Sequence, residues 1–341
     1  MSSSGGQRYP DARQAIVDNV NKGALIIHYY GHGGEVGWAE ERVLELIDIN
    51  SWENFNNMPV FVTATCEFSR YDDAQRVSAG EQVLLNPEGA GIALFTTTRT
   101  ITETDAENLS HSFYKYALPE SAGGVLTFGQ LMRNLKNDLN STGISATNKL
   151  KFTLLGDPAL KLPIPQLNVV VTEIFNPNTN EQIDTLNALS TVKVKGAVLT
   201  EDGYVMDSFN GVLKPKVYDN PITLQTLKND FEDLEPFNFD LQQSILYAGN
   251  VSVEEGLFEF EFVVPQDISY ADGFGKFSFY AFNEEQDAIG AHVDIVIGGF
   301  DEDAEVDNIG PIIDLYMNNT DFRYGGITDA NPSLYALISD D

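Results

Sequence analysis

"ALIIHYYGHGG", residues 24–34, runs apolar and then stops at a histidine set among glycines. The apolar part, Leu25–Tyr30, has the length and make-up of a buried strand. Glycine removes side chains and lets another backbone, or a substrate, come close. A histidine in that position has little local reason to be a packing residue. The pattern recurs at "MPVFVTATCEFS", residues 58–69, where a second apolar run, Val60–Thr63, leads to Cys66, the one cysteine of the chain. A third run, "GAGIALFTTT", occupies residues 89–98.

Helical segments separate these runs. "ARQAIVDNVNKG" reads as a helix closed by Gly23. "ERVLELI", residues 41–47, is expected to be helical. Ser78 and Glu81 have capping-box spacing ahead of an apolar stretch, as do Thr104 with Glu107 and Thr127 with Gln130. Short buried strands between capped helices predict a mostly parallel sheet covered on both faces. In such sheets, sites form outside the carboxyl ends of the strands. If the first two strands are neighbours, His32 and Cys66 share one edge. That pairing supplies a thiol nucleophile and a base. The imidazole takes the thiol proton and later hands it to the leaving amine. The N–H groups of Gly33 and Cys66 then suit the developing oxyanion, and a side chain at residue 33 or 34 would crowd that space.

The bland alternative is that Cys66 is a small core hydrophobe. His28 lies inside the first strand without flanking glycines and reads as a core or sheet-face residue. His111 and His292 have no partner in view. Zinc is disfavoured at the Cys/His pair because it needs three or four closely arranged ligands. One cysteine also excludes an internal disulfide.

After "LLGDPALKLPIPQ" the pattern changes. Prolines at 158, 163 and 165 suggest a boundary. Beyond them "LFEFEFVVP" alternates with period two, placing Phe258, Phe260 and Phe262 on one face and Glu259 and Glu261 on the other. "FSFYAF" and "HVDIVI" behave similarly. Such strands with turn residues between them predict a β-sandwich of immunoglobulin type. "FDEDAEVDNIGP" reads as a linker, and the residues after it begin a further β segment too short to bury a core alone.

The 341 residues carry a net charge of −31, unevenly spread. Residues 1–165 hold 13 basic against 19 acidic side chains, and residues 166–341 hold 7 against 32. No basic footprint exists for phosphate, so nucleic acid is not an expected partner. Acidity of this kind ordinarily serves solubility. Calcium is the alternative at the linker, where Asp301, Asp303 and Asp307 gather hard oxygen ligands, with a solvated acidic linker as the plainer reading. No stretch approaches a transmembrane length, and the first residues, "MSSSGGQRYPDAR", do not read as a signal peptide.

"HYYGHGG", "PVFVTATCEFSRYDD", "SAGE", "ALFTTTR" and "LLGDPAL", in this order, resemble the gingipain family of cysteine peptidases. "SFNGVLKPKVYD", "VPQDISYADGFGKFSFYA" and "GPIIDLYMNN" extend the resemblance, most closely to the cell-surface sortases of the type IX secretion system. The resemblance implies an α/β caspase-like (gingipain-type) catalytic subdomain over residues 1–165, incomplete, followed by an all-β immunoglobulin-like sandwich over 166–299. An acidic linker and the start of a further β domain follow over 300–341. It also implies removal of C-terminal sorting domains from secreted cargo, through a thioester, and joining of the new carboxyl end to anionic lipopolysaccharide. The other implied partners are outer-membrane type IX components, and the implied location is the cell surface. No cofactor is required, calcium aside.

By motif, His32 is the general base and acid, Cys66 the nucleophile, and Gly33 and Cys66 the oxyanion hole. Gly34, Glu67, Arg70 and Arg99 are neighbours of the substrate site. The plainer reading of Glu67, Arg70, Asp72 and Asp73 is loop and helix-start structure; that of Arg99 is pairing with an acid. The chain departs from the family pattern at His28, where relatives carry asparagine. It is expected to lack the upstream subdomain and the carboxylate that orients the histidine; Asp11 and Asp18 are poor matches for that role. The competing reading is a catalytically incomplete fragment that acts as a surface binding module through its β domain.

Overall fold

The structure, a computed structural model, describes residues 2–3, 6–7, 9–118, 124–138, 146–227, 235–301 and 310–339. It divides into two compact units, Met1–Ile164 and Pro165–Asp341.

The first unit is built on strands β1 (Ile26–Tyr30), β2 (Val60–Ala64) and β3 (Ala93–Thr97), which run parallel in that order. A fourth strand, β4 (Phe152–Leu155), closes the far side antiparallel to β3. Every residue of β2 and β3 is buried, which explains why their sequences are continuous apolar and threonine runs rather than alternating ones. Helices cover both faces. Val62 and Phe95 pack with Leu109 and Phe113 of α3 (Glu103–Ala117) and Leu131 and Leu135 of α4 (Phe128–Asp138). Phe61 and Leu94 point the other way, toward Val20 of α1 (Pro10–Lys22) and Val83 of α2 (Ala79–Leu85).

Local sequence sets most element ends. Gly23 closes α1 at φ 98°, a conformation that favours glycine. The Ser78–Glu81 capping box opens α2, and Thr127 and Gln130 exchange the two bonds of another ahead of α4. The expected box at Thr104 and Glu107 does not form. Helix α3 begins two residues earlier, capped by Thr102, whose side chain accepts from the Asp105 N–H at 3.3 Å. "ERVLELI" is also not a helix through its length. Arg42 has φ 55°, Leu44–Glu45 is a short strand, and only Leu46–Ile49 forms a helical turn. Those residues join Gly33–Gly34 and Gly37–Trp38 in a three-stranded ribbon. Ribbon pairing and burial of Leu44 against Trp38 override helix propensity there.

The second unit holds, among the described residues, a nine-stranded sheet and a smaller three-stranded one. In the large sheet β5 (Leu167–Asn176) pairs β6 (Thr191–Leu199), and β6 pairs β8 (Leu257–Val263). Strand β7 (Gly211–Tyr218) pairs β9 (Lys276–Phe282), and β9 pairs β10 (Asp287–His292). Among the described residues, the two groups join through a short parallel contact of β5 with β10. The sheet folds over at that joint, so Phe258 and Phe262 of β8 meet Phe279 and Phe277 of β9, at ring separations of 5.9 and 6.5 Å. The alternation in "LFEFEFV" is fully realised: the three phenylalanines are buried and the residues between them exposed. "HVDIVI" is not one strand, since His292 ends β10 and Val296 begins another, Val296–Phe300. After residues 302–309, an exposed hairpin pairs Ile312–Met317 with Leu334–Ser339.

Candidate active site

The register of the parallel pair places the site. Tyr30 of β1 pairs Ala64 of β2 at the last step, so His32 and Cys66 each stand two residues past the same rung. Both line one cavity of about 220 Å3, with Tyr30, Thr65, Ile101 and Glu103 on its wall. His32 also borders a wider depression formed with Gly33, Gly34 and the ribbon.

The His32 turn is held at its carbonyl. The Tyr29 hydroxyl donates to it at 2.6 Å, and the Ala39 N–H donates at 2.8 Å. Tyr29 stacks on Trp38 with ring centres 4.4 Å apart and ring planes nearly parallel. Burial, helped by Glu41, pushes the Tyr29 pKa up to about 12, so it stays a donor at any physiological pH. Gly31 has φ 153°, and a Cβ there would meet the Tyr29 hydroxyl at 2.9 Å. Because Ala39 bonds to the His32 carbonyl across the ribbon, Gly33 and Trp38 form a non-hydrogen-bonded pair. The Gly33 N–H therefore faces away from its ribbon partner and is left to another acceptor.

Gly33 is tightly enclosed. A Cβ there would lie 2.5 Å from Thr65 Oγ1 and 3.1 Å from the Gly37 carbonyl oxygen. Gly34 is different, because a Cβ at that position meets nothing within 4 Å. The protein itself thus excludes a side chain at Gly33, through Thr65 and the Gly37 carbonyl, and leaves open space beside Gly34.

The Cys66 turn is tied to the end of β3 and the residues after it. The Glu67 N–H donates to the Arg99 carbonyl at 3.5 Å, and the Ser69 N–H to the Thr97 carbonyl at 3.0 Å. Thr97 Oγ1 donates to the Thr65 carbonyl. Glu67 adopts φ 54°, unusual for a residue with a side chain, which turns the chain sharply just after the cysteine. Beneath it Thr63, Thr96 and Ser69, all buried, form a hydroxyl chain with contacts of 2.7 and 2.9 Å. The thiol donates to the Ile101 carbonyl at 3.7 Å, and among the described residues no hydrogen bond joins Sγ to the His32 ring.

The other residues singled out from sequence divide clearly. Arg70 bonds Glu35 at 3.0 Å and Glu67 at 3.4 Å, bracing the histidine loop against the cysteine loop. The Ala79 N–H at the start of α2 donates to the Glu35 carbonyl at 2.7 Å and adds to that tie. Arg99 pairs with Asp72 through both nitrogens, and the guanidinium holds the Asp72 carboxyl below its usual range. Glu67, Arg70, Asp72 and Asp73 lie in a loop and not at a helix start, since α2 opens only after Ser78. His28 stands on the α3 side of the sheet, exposed, with Nε2 3.0 Å from Ser110 Oγ. His111 lies 3.9 Å from Glu107 on an exposed helix face, and His292 packs edge-on to Phe277. Asp18 accepts from Gln14 within α1.

Among the described residues no cluster of His, Cys, Asp or Glu is arranged to hold a metal. Asp303 and Asp307 lie outside the described residues; the Asp301 N–H donates to the Ala188 carbonyl at 3.0 Å. No helix among the described residues is long and apolar enough to cross a membrane. Two parts of the site escaped sequence reading: the carbonyl acceptor at Ile101 and the threonine ties from β3. Neither has a motif, because both depend on which residues the sheet order makes neighbours.

Residues 1–163 match the model of peptidase family C25. No curated protein matches. Among solved structures, the dimeric latent PorU from Porphyromonas gingivalis is 24% identical, covering 93% of this chain and 28% of that one, with a TM-score of 0.42. The Arg-specific cysteine proteinase gingipain R is 13% identical, covering 82% of this chain and 56% of that one, with a TM-score of 0.41. The complex of Porphyromonas gingivalis RgpB pro- and mature domains is 13% identical, covering 82% and 57%, with a TM-score of 0.40. The chain therefore spans just over a quarter of the PorU chain and rather more than half of the gingipain chains. The order of the fold is as expected, an α/β unit followed by β sheets. The matched stretch, which carries both His32 and Cys66, makes this chain similar to peptidase family C25 over just under half of its length.

Proposed function

We propose that the protein is a cell-surface sortase, a cysteine endopeptidase with transpeptidase capacity. It removes C-terminal sorting domains from secreted cargo and joins the new carboxyl end to an amino group on anionic lipopolysaccharide, working beside outer-membrane type IX components. The observation that carries the reading is the shared rung. His32 and Cys66 stand two residues beyond the Tyr30–Ala64 pair and line the same cavity.

In this reading the Cys66 thiol turns from Ile101 to His32 and gives up its proton. The thiolate attacks the scissile carbonyl carbon, and the displaced electron pair collects on oxygen, facing the N–H groups of Gly33 and Cys66. Collapse expels the amine, which takes the proton from His32 and leaves a thioester on Cys66. An amine, or water, then attacks the thioester, with His32 again as base. Thiol and imidazole suffice, so no cofactor enters. Cargo ending in a sorting domain, mixed with the protein and an amine acceptor, tests this. Conversion that disappears in Cys66→Ala and in His32→Ala supports the sortase reading; conversion that survives Cys66→Ala overturns it.

A second reading is a surface module that binds through its β unit without chemistry of its own. The bond from the thiol to Ile101, in place of His32, is the observation on its side. It predicts that residues 165–341 hold a sorting domain and that the Cys66 thiol stays inert toward peptide electrophiles.

A further inference from the structure

We infer that Thr97 is a positioning residue for the oxyanion hole, acting through the peptide that joins Thr65 to Cys66. The inference rests on the reading of Cys66 as nucleophile. Thr97 is the last residue of β3 and fully buried. Its hydroxyl donates to the Thr65 carbonyl, and its own carbonyl accepts from the Ser69 N–H at 3.0 Å. One side chain and one backbone group thus hold both flanks of the Cys66 turn. The peptide unit is planar and trans, so the Thr65 carbonyl and the Cys66 N–H point in opposite directions. Fixing the carbonyl toward Thr97 fixes the N–H away from it. Among the described residues no acceptor takes that N–H. Thr65 and Cys66 both line the cavity shared with His32.

The neighbouring hydroxyls give the tie its rigidity. Thr96, one residue earlier, faces the opposite side of β3 and bonds Thr63 and Ser69, so β3 grips the strand before the cysteine and the loop after it. Without the Thr97 hydroxyl the Thr65 carbonyl is a buried acceptor short of a partner, and the peptide gains freedom to rock. The Cys66 N–H then meets a developing oxyanion at a variable angle. The thiol and the imidazole are untouched by this change, because neither bonds to Thr97.

The test separates oxyanion support from thiol reactivity. A peptide aldehyde adds Cys66 sulfur to its carbonyl carbon, and the carbonyl oxygen becomes an alkoxide that takes the proton His32 removed. Iodoacetamide alkylates the same sulfur, releases iodide and forms no oxyanion. Thr97→Val removes the donor at nearly constant shape. The expected result is aldehyde affinity lower by about tenfold or more and iodoacetamide alkylation within about twofold of the unsubstituted protein, with affinity restored by Thr97→Ser. On peptide substrate the loss falls on kcat and not on KM. Unchanged aldehyde affinity in Thr97→Val overturns the inference while leaving the nucleophile in place, and so does a parallel fall in alkylation. An unsubstituted protein that alkylates but forms no aldehyde adduct overturns the underlying reading of the site and this inference with it.

Discussion

At the scale of single residues, the site depends on positions where a side chain is excluded or a hydroxyl is aimed. Gly33→Ala forces a methyl against Thr65 and the Gly37 carbonyl. It should cost about 2 kcal/mol and reduce reaction of Cys66 with peptide electrophiles. Gly34→Ala meets open space and should stay within about 0.5 kcal/mol. Paired melting curves and labelling rates check both, and equal effects would contradict the local account. Tyr29 supplies a pH prediction. Its folded pKa, about 12, lies above the usual value of 10, so the native state holds the proton more tightly than the unfolded chain. That contribution is complete below pH 10 and is lost as pH rises toward 12. Melting temperature should fall across that interval less steeply in Tyr29→Phe than in the unsubstituted protein. At this scale the sequence was partly legible. His32 and Cys66 were conspicuous because glycines and strand ends frame them. Thr97 and Ile101 were not, since their roles exist only once β3 lies beside β2 and the following segment folds over the thiol.

At the scale of elements, boundaries with a local chemical cause were readable and those set by tertiary partners were not. Ser78 with Glu81, Thr127 with Gln130, and Gly23 act within one turn of chain; the first two pairs open a helix and Gly23 closes one where the sequence says. Thr104 has the same spacing signal but loses to Thr102, whose side chain reaches the Asp105 N–H while Asp105 itself is buried and takes a bond from Asn148. Thr102→Ala should therefore lower stability by about 1 kcal/mol, measured by urea unfolding, while Thr104→Ala changes it little; the reverse order would restore the sequence-based cap. "ERVLELI" misleads because Leu44 and Trp38 need each other in the core, and a ribbon brings them together where a helix would not.

At the scale of the whole molecule, the two units have separate cores. The clusters around Phe95 and Phe61 draw on residues before 165, and the one around Phe277 on residues after it. Phe277→Ala should destabilise the second unit by about 3–5 kcal/mol and leave the alkylation rate of Cys66 unchanged, read by calorimetry and mass spectrometry on one sample. Period-two alternation made the second unit's strands legible, but not the fold-over between β5 and β10, which rests on two residue pairs. The central claim concerns the first unit, where His32 and Cys66 meet as a working pair. Its most direct test is the mass of the protein after incubation with a peptidyl acyloxymethyl ketone, beside iodoacetamide as a control for mere exposure. The account predicts one adduct on Cys66 that is lost in His32→Ala while iodoacetamide still reacts. Ketone labelling that persists without His32, or iodoacetamide labelling alone in the unsubstituted protein, would contradict it.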